Sequence, residues 1–367
     1  MIIIYPVKKF FFTDRLTIIV LVTLAIISLS SVLSYLYFAE KQRSTNEVSP
    51  NTEVLAVQKR EILAEPPENL TTLNILLLGY GGPGHQGGYL TDVIQVAHFN
   101  FETKLIKLIS IPRDLWVSLP NGKQAKINQA FTLGENSNDY VASGGEVSKQ
   151  MTSLITGLPI DYFVAIDFVG FQRAIGEDLG GIKVNVPETL EDTWYPIKGE
   201  ELNTCDMTPE KVAELTATSS GFELESQFEC RYEHLYFEQG VNHMEGGDAL
   251  KYVRSRHGSS AGDFSRSLRQ QAVLKGIRDK LLSLEAFDQA PQFFETISEN
   301  ITTDLNLEAV KYLIPAIKDA TKYEIRSVIL STDNTLVTAR SSNGQSILVP
   351  QAGIDQWQEI REFIEQP

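Results

Sequence analysis

Residues Leu73–Asp114 read LNILLLGYGGPGHQGGYLTDVIQVAHFNFETKLIKLISIPRD. The stretch holds three apolar runs, Leu73–Leu78, Val93–Phe99 and Leu105–Ile111, each of strand length. Runs this short and this continuously apolar fit strands buried on both faces. Downstream, helical periodicity sets in around Gly145–Ile155, over Ser265–Leu284 and around Leu307–Ala320. A strand-then-helix passage, VAIDFVGFQRAIGEDLGGIKVNV, ends at Val186, with Gly180 and Gly181 stopping its helix. Strands covered by helices make an α/β domain, expected here as three layers, α/β/α, around a central mixed sheet.

Between the first two runs, Gly79, Gly81 and Gly84 match the spacing G-x-G-x-x-G. The dinucleotide fingerprint needs a helix to open there. Pro83, Gly87 and Gly88 follow, then another strand, so the match is rejected. What remains is a loop whose backbone N–H groups are able to approach an anion, or a plain mobile loop. Asp92 is the carboxylate between that loop and a buried run, and Arg113 ends the third strand, where α/β sheets place ligands.

Lys251–Gln271 reads KYVRSRHGSSAGDFSRSLRQQ and packs four arginines, Arg254, Arg256, Arg266 and Arg269, into a chain of net charge −15. Helical steps from Arg266 reach Gln270, Leu274, Ile277 and Leu281, one face of one helix. Guanidinium groups on an inward stripe need partners, and a multi-oxygen anion suits their planar fork. Asp263 precedes Arg266 beside the expected N-cap, and Arg254 and Arg256 share a side if their segment is extended. A solvated helix end with scattered salt bridges is the competing reading. No Ser/His/Asp set or nucleophilic cysteine stands out, and His85 and His257 lack an obvious partner. An arginine clamp for phosphate, with a carboxylate-held cation, is the better match.

Leu16–Phe38 is free of charged residues over 23 positions, enough for a helix across a hydrocarbon core of about 30 Å. A cleaved signal peptide would carry a shorter apolar region and an A-x-A site, which is lacking. The expected order is a cytoplasmic segment (1–15), a membrane helix (16–38), a polar, proline-bearing stalk (39–71), an α/β domain (72–322) and a C-terminal extension (323–367). The positive-inside bias is weak but places everything after Phe38 outside a cell membrane crossed once. An insertion, 188–236, interrupts the domain. Glu188–Glu233 carries twelve carboxylates against Lys198, Lys211 and Arg231, a balance of −9, which argues against nucleic acid as a partner. The insertion also holds both cysteines, Cys205 and Cys230, expected as a disulfide or else as two buried thiols. The final forty or so residues either complete the sheet or form an appendage.

The set LLLG (76–79), TD (91–92), ISIPRD (109–114), KIN (126–128), the FVGF…DLGG passage and ALKYVRSRH…GDFSRSLRQQ resembles the LytR-CpsA-Psr family over about residues 72–320. The resemblance implies transfer of a glycopolymer from a polyprenyl-pyrophosphate carrier to peptidoglycan outside a bacterial membrane. It places pyrophosphate binding on Arg113, Arg254, Arg256, Arg266 and Gln270, and an acidic position on Asp263. Lys126, Asn128 and Arg269 join the candidates by position. Asp92 matches one ligand of Mg²⁺ (or Mn²⁺), whereas Tyr80 stands where the family's other aspartate is expected. Two alternatives remain open: a non-catalytic binder of lipid diphosphates that regulates envelope assembly, and a lipid pyrophosphatase. The carrier's tail needs an apolar groove, for which Trp116, Phe163, Phe168 and Phe171 are candidates beside an ordinary core role.

Overall fold

The computed structural model describes residues 70–85, 87–136, 140–255, 258, 262–283, 297–298, 300–320 and 322–366, all within one compact unit, Arg60–Pro367. The expected membrane helix and all of the stalk but its last two residues, and positions Arg256 and His257, lie outside these residues. Among the described residues no helix is long and apolar enough to cross a membrane.

Six strands form the central sheet: β1 (Thr72–Tyr80), β2 (Thr91–Asn100), β3 (Leu105–Ser110), β6 (Tyr162–Asp167), β11 (Thr302–Thr303) and β12 (Glu324–Ile329), in the order β11-β6-β1-β2-β3-β12. The sheet is mixed: β1–β2 and β2–β3 are antiparallel, while β1–β6 and β3–β12 are parallel. The three apolar runs thus form a meander whose faces differ in depth. On β1, Leu76, Leu78 and Tyr80 are buried, while Ile75, Leu77 and Gly79 are half-buried. The two short strands β4 (Trp116–Ser118) and β5 (Gln124–Lys126) pair beside the sheet and lead into a 3-10 helix, Ile127–Asn136.

The deeper face packs Leu76, Leu78, Ile94, Val96, Ile109 and Phe163 against Phe131 of the 3-10 helix and Met151 and Ile155 of α1 (Tyr140–Thr156). Burial of each large apolar side chain is worth about 1.5–3 kcal/mol. Phe163, 1% exposed, is therefore core and not groove.

On the opposite face lie α5 (Gly246–Arg254) and α6 (Gly262–Ser283). Gln271 of α6 donates to the Leu108 carbonyl at 3.1 Å and to Ser110 Oγ at 3.0 Å, tying the helix to β3. Beyond α6 stands a two-stranded sheet of β7 (Ile182–Val186) and β10 (Gly240–Met244). Gly276 makes this approach possible, since a Cβ there would meet the Lys183 carbonyl oxygen at 2.6 Å. The α6 core face runs through Val273 and Gly276, where the sequence periodicity had Leu274. Between β6 and β7, α2 (Phe168–Arg173) continues as a π turn to Asp178 and stops at Gly180 and Gly181, whose φ values are 61° and 79°.

The insertion is a hairpin, β8 (Leu190–Pro196) with β9 (Tyr232–Phe237), whose tip carries α3 (Pro209–Thr218) and the single turn α4 (Phe222–Glu225). Cys205 and Cys230 are bridged across a separation of 25 residues. The C-terminal stretch does both things expected of it. After α7 (Leu307–Ala320), β12 completes the sheet edge, while β13 (Leu336–Arg340) and β14 (Ser346–Pro350) form a separate pair. The last helix, α8 (Gln358–Glu365), drops Ile360 and Ile364 into the main core. Lys107 of β3 donates to the carbonyls of Ile364 and Gln366 at 2.8 and 2.7 Å, holding that helix by its C-terminal end.

Candidate functional site: an arginine clamp at the strand ends

The site is built where β1, β3 and β6 end and β2 begins, the edge at which α/β sheets present ligands. The β1–β2 register slips there: Gly79 faces Val93 but Tyr80 faces Thr91, leaving Asp92 as the extra residue of a bulge. Bulges re-aim side chains, and this one points the Asp92 carboxylate at arginines. The preceding glycine loop is closed on itself, with Gly82 N–H on the Gly88 carbonyl at 2.8 Å. Gly82 is required there: its φ is +83°, and a Cβ would lie 2.8 Å from Asp167 Oδ2.

Arg113, just past β3, donates to Asp92 Oδ1. Arg266, in the first turns of α6 and 7% exposed, brings Nη2 to 3.9 Å from Asp92 Oδ2. One carboxylate therefore holds two guanidinium groups from different parts of the chain. Gln270, one turn after Arg266, accepts from Gln95 Nε2 at 3.3 Å, both side chains being buried. Lys126 is joined to Asp114 Oδ1 at 2.5 Å, and Arg113 Nε lies 3.6 Å from the other Asp114 oxygen. Asn128 staples the corner by backbone: its carbonyl accepts from Thr91 Oγ1 and its N–H donates to the Arg113 carbonyl, both at 3.4 Å. Its buried Oδ1 has no hydrogen-bond partner among the described residues.

A second group gathers at the end of β6. Arg254 and Arg256 would share a side only on an extended segment. The structure does not meet that condition at Arg254, since α5 runs through it and the chain becomes extended only at Ser255, with φ −50° and ψ 135°. Arg254 lies over the Phe168 ring, 4.2 Å from its centroid, and donates to Tyr195 Oη at 3.4 Å. His85 sets its ring edge-on to Phe168 at 5.1 Å. Burial lowers the His85 pKa, as do Lys198 and Arg254, with Asp167 opposing them. Asp263 stands in the first turn of α6, and its side chain is not among those described.

Arg269 is committed elsewhere. It is 4% exposed, with Nε on the Tyr252 carbonyl at 3.1 Å and Nη2 on the Ser255 carbonyl at 2.5 Å. Burial lowers its pKa, opposed by Tyr252, Asp192 and Glu188. Through those nitrogens it fixes the end of α5. Sequence reasoning overlooked Gln95 and Asp114. A glutamine inside the run VIQVAHF was the available signal for the first, and the carboxylate beside Arg113 in IPRD for the second.

Tyr80 does not face Asp92. Its ring is 6% exposed and packs on Phe131 and Tyr89 at centroid distances of 5.1 and 6.0 Å. Burial, then Asp167, pushes its pKa up to about 12, so it stays neutral. The described residues hold no group of three His, Cys, Asp or Glu side chains able to bind a metal ion. Asp92 and Asp114 are each neutralised by cationic side chains. This donor set does not fit a resident Mg²⁺ or Mn²⁺, which would have to displace guanidinium or ammonium groups.

The LytR_cpsA_psr family model matches residues 33–361, most of the chain. The chain belongs to the LytR-CpsA-Psr family. Its LytR-CpsA-Psr relatives include TagV of Bacillus subtilis, a polyisoprenyl-teichoic acid–peptidoglycan teichoic acid transferase. TagV is 28% identical over 240 residues, which is 64% of this chain and 50% of TagV. TagU of Enterococcus faecalis, of the same named activity, is 26% identical over 246 residues, 66% of this chain and 65% of TagU. The chain thus spans half to just under two thirds of these two curated relatives. The crystal structure of B. subtilis TagV superposes with a TM-score of 0.55 at 22% identity, covering 81% of this chain and 97% of that one. A structure of TagT bound to LI-WTA gives a TM-score of 0.52 at 21% identity, covering 82% and 93%. These likenesses establish the mixed α/β fold with its central mixed sheet.

Proposed function

We propose that this LytR-CpsA-Psr protein is a phosphotransferase that moves a glycopolymer from a polyprenyl-pyrophosphate carrier to peptidoglycan. The observation that carries the reading is the convergence of Arg113 and Arg266 on Asp92 at the sheet end. A diphosphate offers several oxygens to such forks and competes with the single carboxylate. Arg254, and Arg256 by position, extend the clamp from the α5 side, while Gln270 and Asn128 supply neutral polar contacts and Lys126 a further charge. Arg269 holds the α5 end in place.

In the reaction, a peptidoglycan sugar hydroxyl attacks the phosphorus that bears the glycopolymer. A new P–O bond forms, and the bond from that phosphorus to the bridging oxygen breaks. Polyprenyl monophosphate leaves with the electron pair, and the hydroxyl proton goes to an acidic side chain, which we take to be Asp263. The guanidinium groups neutralise charge developing on the leaving phosphate, a role worth several kcal/mol when preorganised.

Residues 16–38 anchor the chain in the cell membrane once and leave the domain extracytoplasmic, where carrier and peptidoglycan meet. The names of the relatives, which specify polyisoprenyl-linked teichoic acid and peptidoglycan, support this choice of partners. Incubating the full chain with a lipid-linked oligosaccharide, with and without peptidoglycan oligomers, tests it. Transfer to the oligomers is expected. Hydrolysis alone would mark a pyrophosphatase, and binding without turnover a regulator.

A further inference from the structure

The acidic insertion is bonded to the clamp from within. Asp192 of β8 is 1% exposed, yet the acidic character of the insertion is otherwise a property of its surface. Its Oδ2 accepts the Ser255 hydroxyl at 2.6 Å, and its Oδ1 accepts the Trp194 N–H at 3.0 Å. Ser255 is the residue between Arg254 and Arg256, and all three of its polar groups are fixed. Its N–H donates to the Lys251 carbonyl at 3.0 Å, its carbonyl accepts from Arg269, and its hydroxyl is held by Asp192.

The chain passes close to β8 a second time. Gly258 has φ +77°, and a Cβ there would meet the Glu191 carbonyl oxygen at 1.9 Å and the Asp192 nitrogen at 3.1 Å. Asp192 thus bonds the chain at Ser255, and the β8 backbone lies close against Gly258. Arg254, on the near side, also leans on the insertion through Tyr195.

We infer that Asp192 is a positioning residue of the clamp: by fixing Ser255 it sets where Arg254 stands, so that the insertion completes the anion site. The inference rests on the reading of Arg254 as a diphosphate ligand. A buried carboxylate that merely filled space would be replaceable by any residue of similar volume. One that holds a loop in register acts through the hydroxyl it accepts, and its effect disappears once the arginines are gone.

The test uses the full chain in detergent, with geranylgeranyl diphosphate as the probe and calorimetry as the readout. Asp192→Ala and Ser255→Ala are each expected to raise Kd about tenfold, the size of one lost charge-assisted hydrogen bond. The double variant should be no weaker than either single one, because both remove the same bond. Asp192→Asn, which keeps an acceptor for the hydroxyl, should recover most of the affinity. Adding Arg254→Ala to Ser255→Ala should cost less than Arg254→Ala costs in the parent. Should Asp192→Ala fail to fold, Ser255→Ala alone decides. If the folded Ser255→Ala protein binds as tightly as the parent while Arg254→Ala binds weakly, the positioning role is wrong and the clamp stands. If Arg254→Ala itself leaves binding unchanged, the clamp reading fails, and the positioning role with it.

Discussion

Arg266 holds Nη2 at 3.9 Å from Asp92 Oδ2, beyond hydrogen-bond reach but within ion-pair range. The opposite oxygen of that carboxylate accepts from Arg113. Asp92 thus keeps two guanidinium groups compatible at the sheet end.

This arrangement makes Asp92 both a stabiliser of the anion-free protein and a competitor of the substrate. Asp92→Asn should lower stability by about 1 kcal/mol at low salt, the scale of a partly exposed ion pair. It should also tighten binding of inorganic pyrophosphate in metal-free buffer. Thermal unfolding with and without pyrophosphate checks both effects, and the stability deficit should vanish when pyrophosphate is present. Calorimetric titration of the parent protein with Mg²⁺ alone should give no binding heat.

Tyr80 is a core residue in the position where the family resemblance leads one to expect an aspartate. Tyr80→Asp removes a buried aromatic ring and leaves a carboxyl group against Phe131 and Tyr89. A loss of about 3–5 kcal/mol is expected, as for other deletions of buried aromatic side chains. Urea unfolding should show an earlier midpoint, with no gain in Mg²⁺ affinity.

The sequence made β1–β3, α6 and α7 legible because the strand runs are continuously apolar and the helical periods are long. Arg266 and Gln270 were legible for the same reason, since a charged residue on an apolar helical face is conspicuous. The direction of Tyr80 was not, because a register slip at Gly79/Tyr80 decides it and hydropathy carries no trace of a bulge. Whether Arg254 lies on a helix or an extended segment was not legible, because nothing local marks Ser255 as the helix end. The role of Asp192 was invisible. Twelve carboxylates in the insertion look alike in sequence, and only the fold buries this one under Ser255.

The Cys205–Cys230 bridge closes a loop spanning 25 residues over a segment with little core of its own. In the chain-entropy model such a closure stabilises by roughly 3 kcal/mol. Cys205→Ser/Cys230→Ser should therefore make α3 and its flanking turns exchange amide hydrogens faster while β1–β3 keep their protection.

His98 gives the fold a pH dependence. Asn74 spends its amide N–H on the Pro159 carbonyl, so its Oδ1 accepts from His98 Nδ1 at 2.6 Å. Burial, with Lys107 second, lowers the His98 pKa below its usual 6.5. The unfolded chain therefore binds a proton at a pH where the folded protein still refuses it. This contribution is complete above about pH 6.5 and is lost as pH falls through the lower folded pKa. The unfolding temperature of the parent should drop more between pH 7.5 and 5.5 than that of His98→Gln. Parallel curves would show that His98 contributes nothing.

The central claim is that the clamp transfers a phosphate-linked polymer and releases the carrier as its monophosphate. The most direct measurement counts polyprenyl monophosphate released against phosphodiester formed on peptidoglycan oligomers, in the same reaction, for the parent and Arg266→Ala. One monophosphate per new phosphodiester, with both lost together in Arg266→Ala by a hundredfold or so, is the predicted result. Monophosphate released in excess of phosphodiester, or transfer that survives Arg266→Ala, would contradict it.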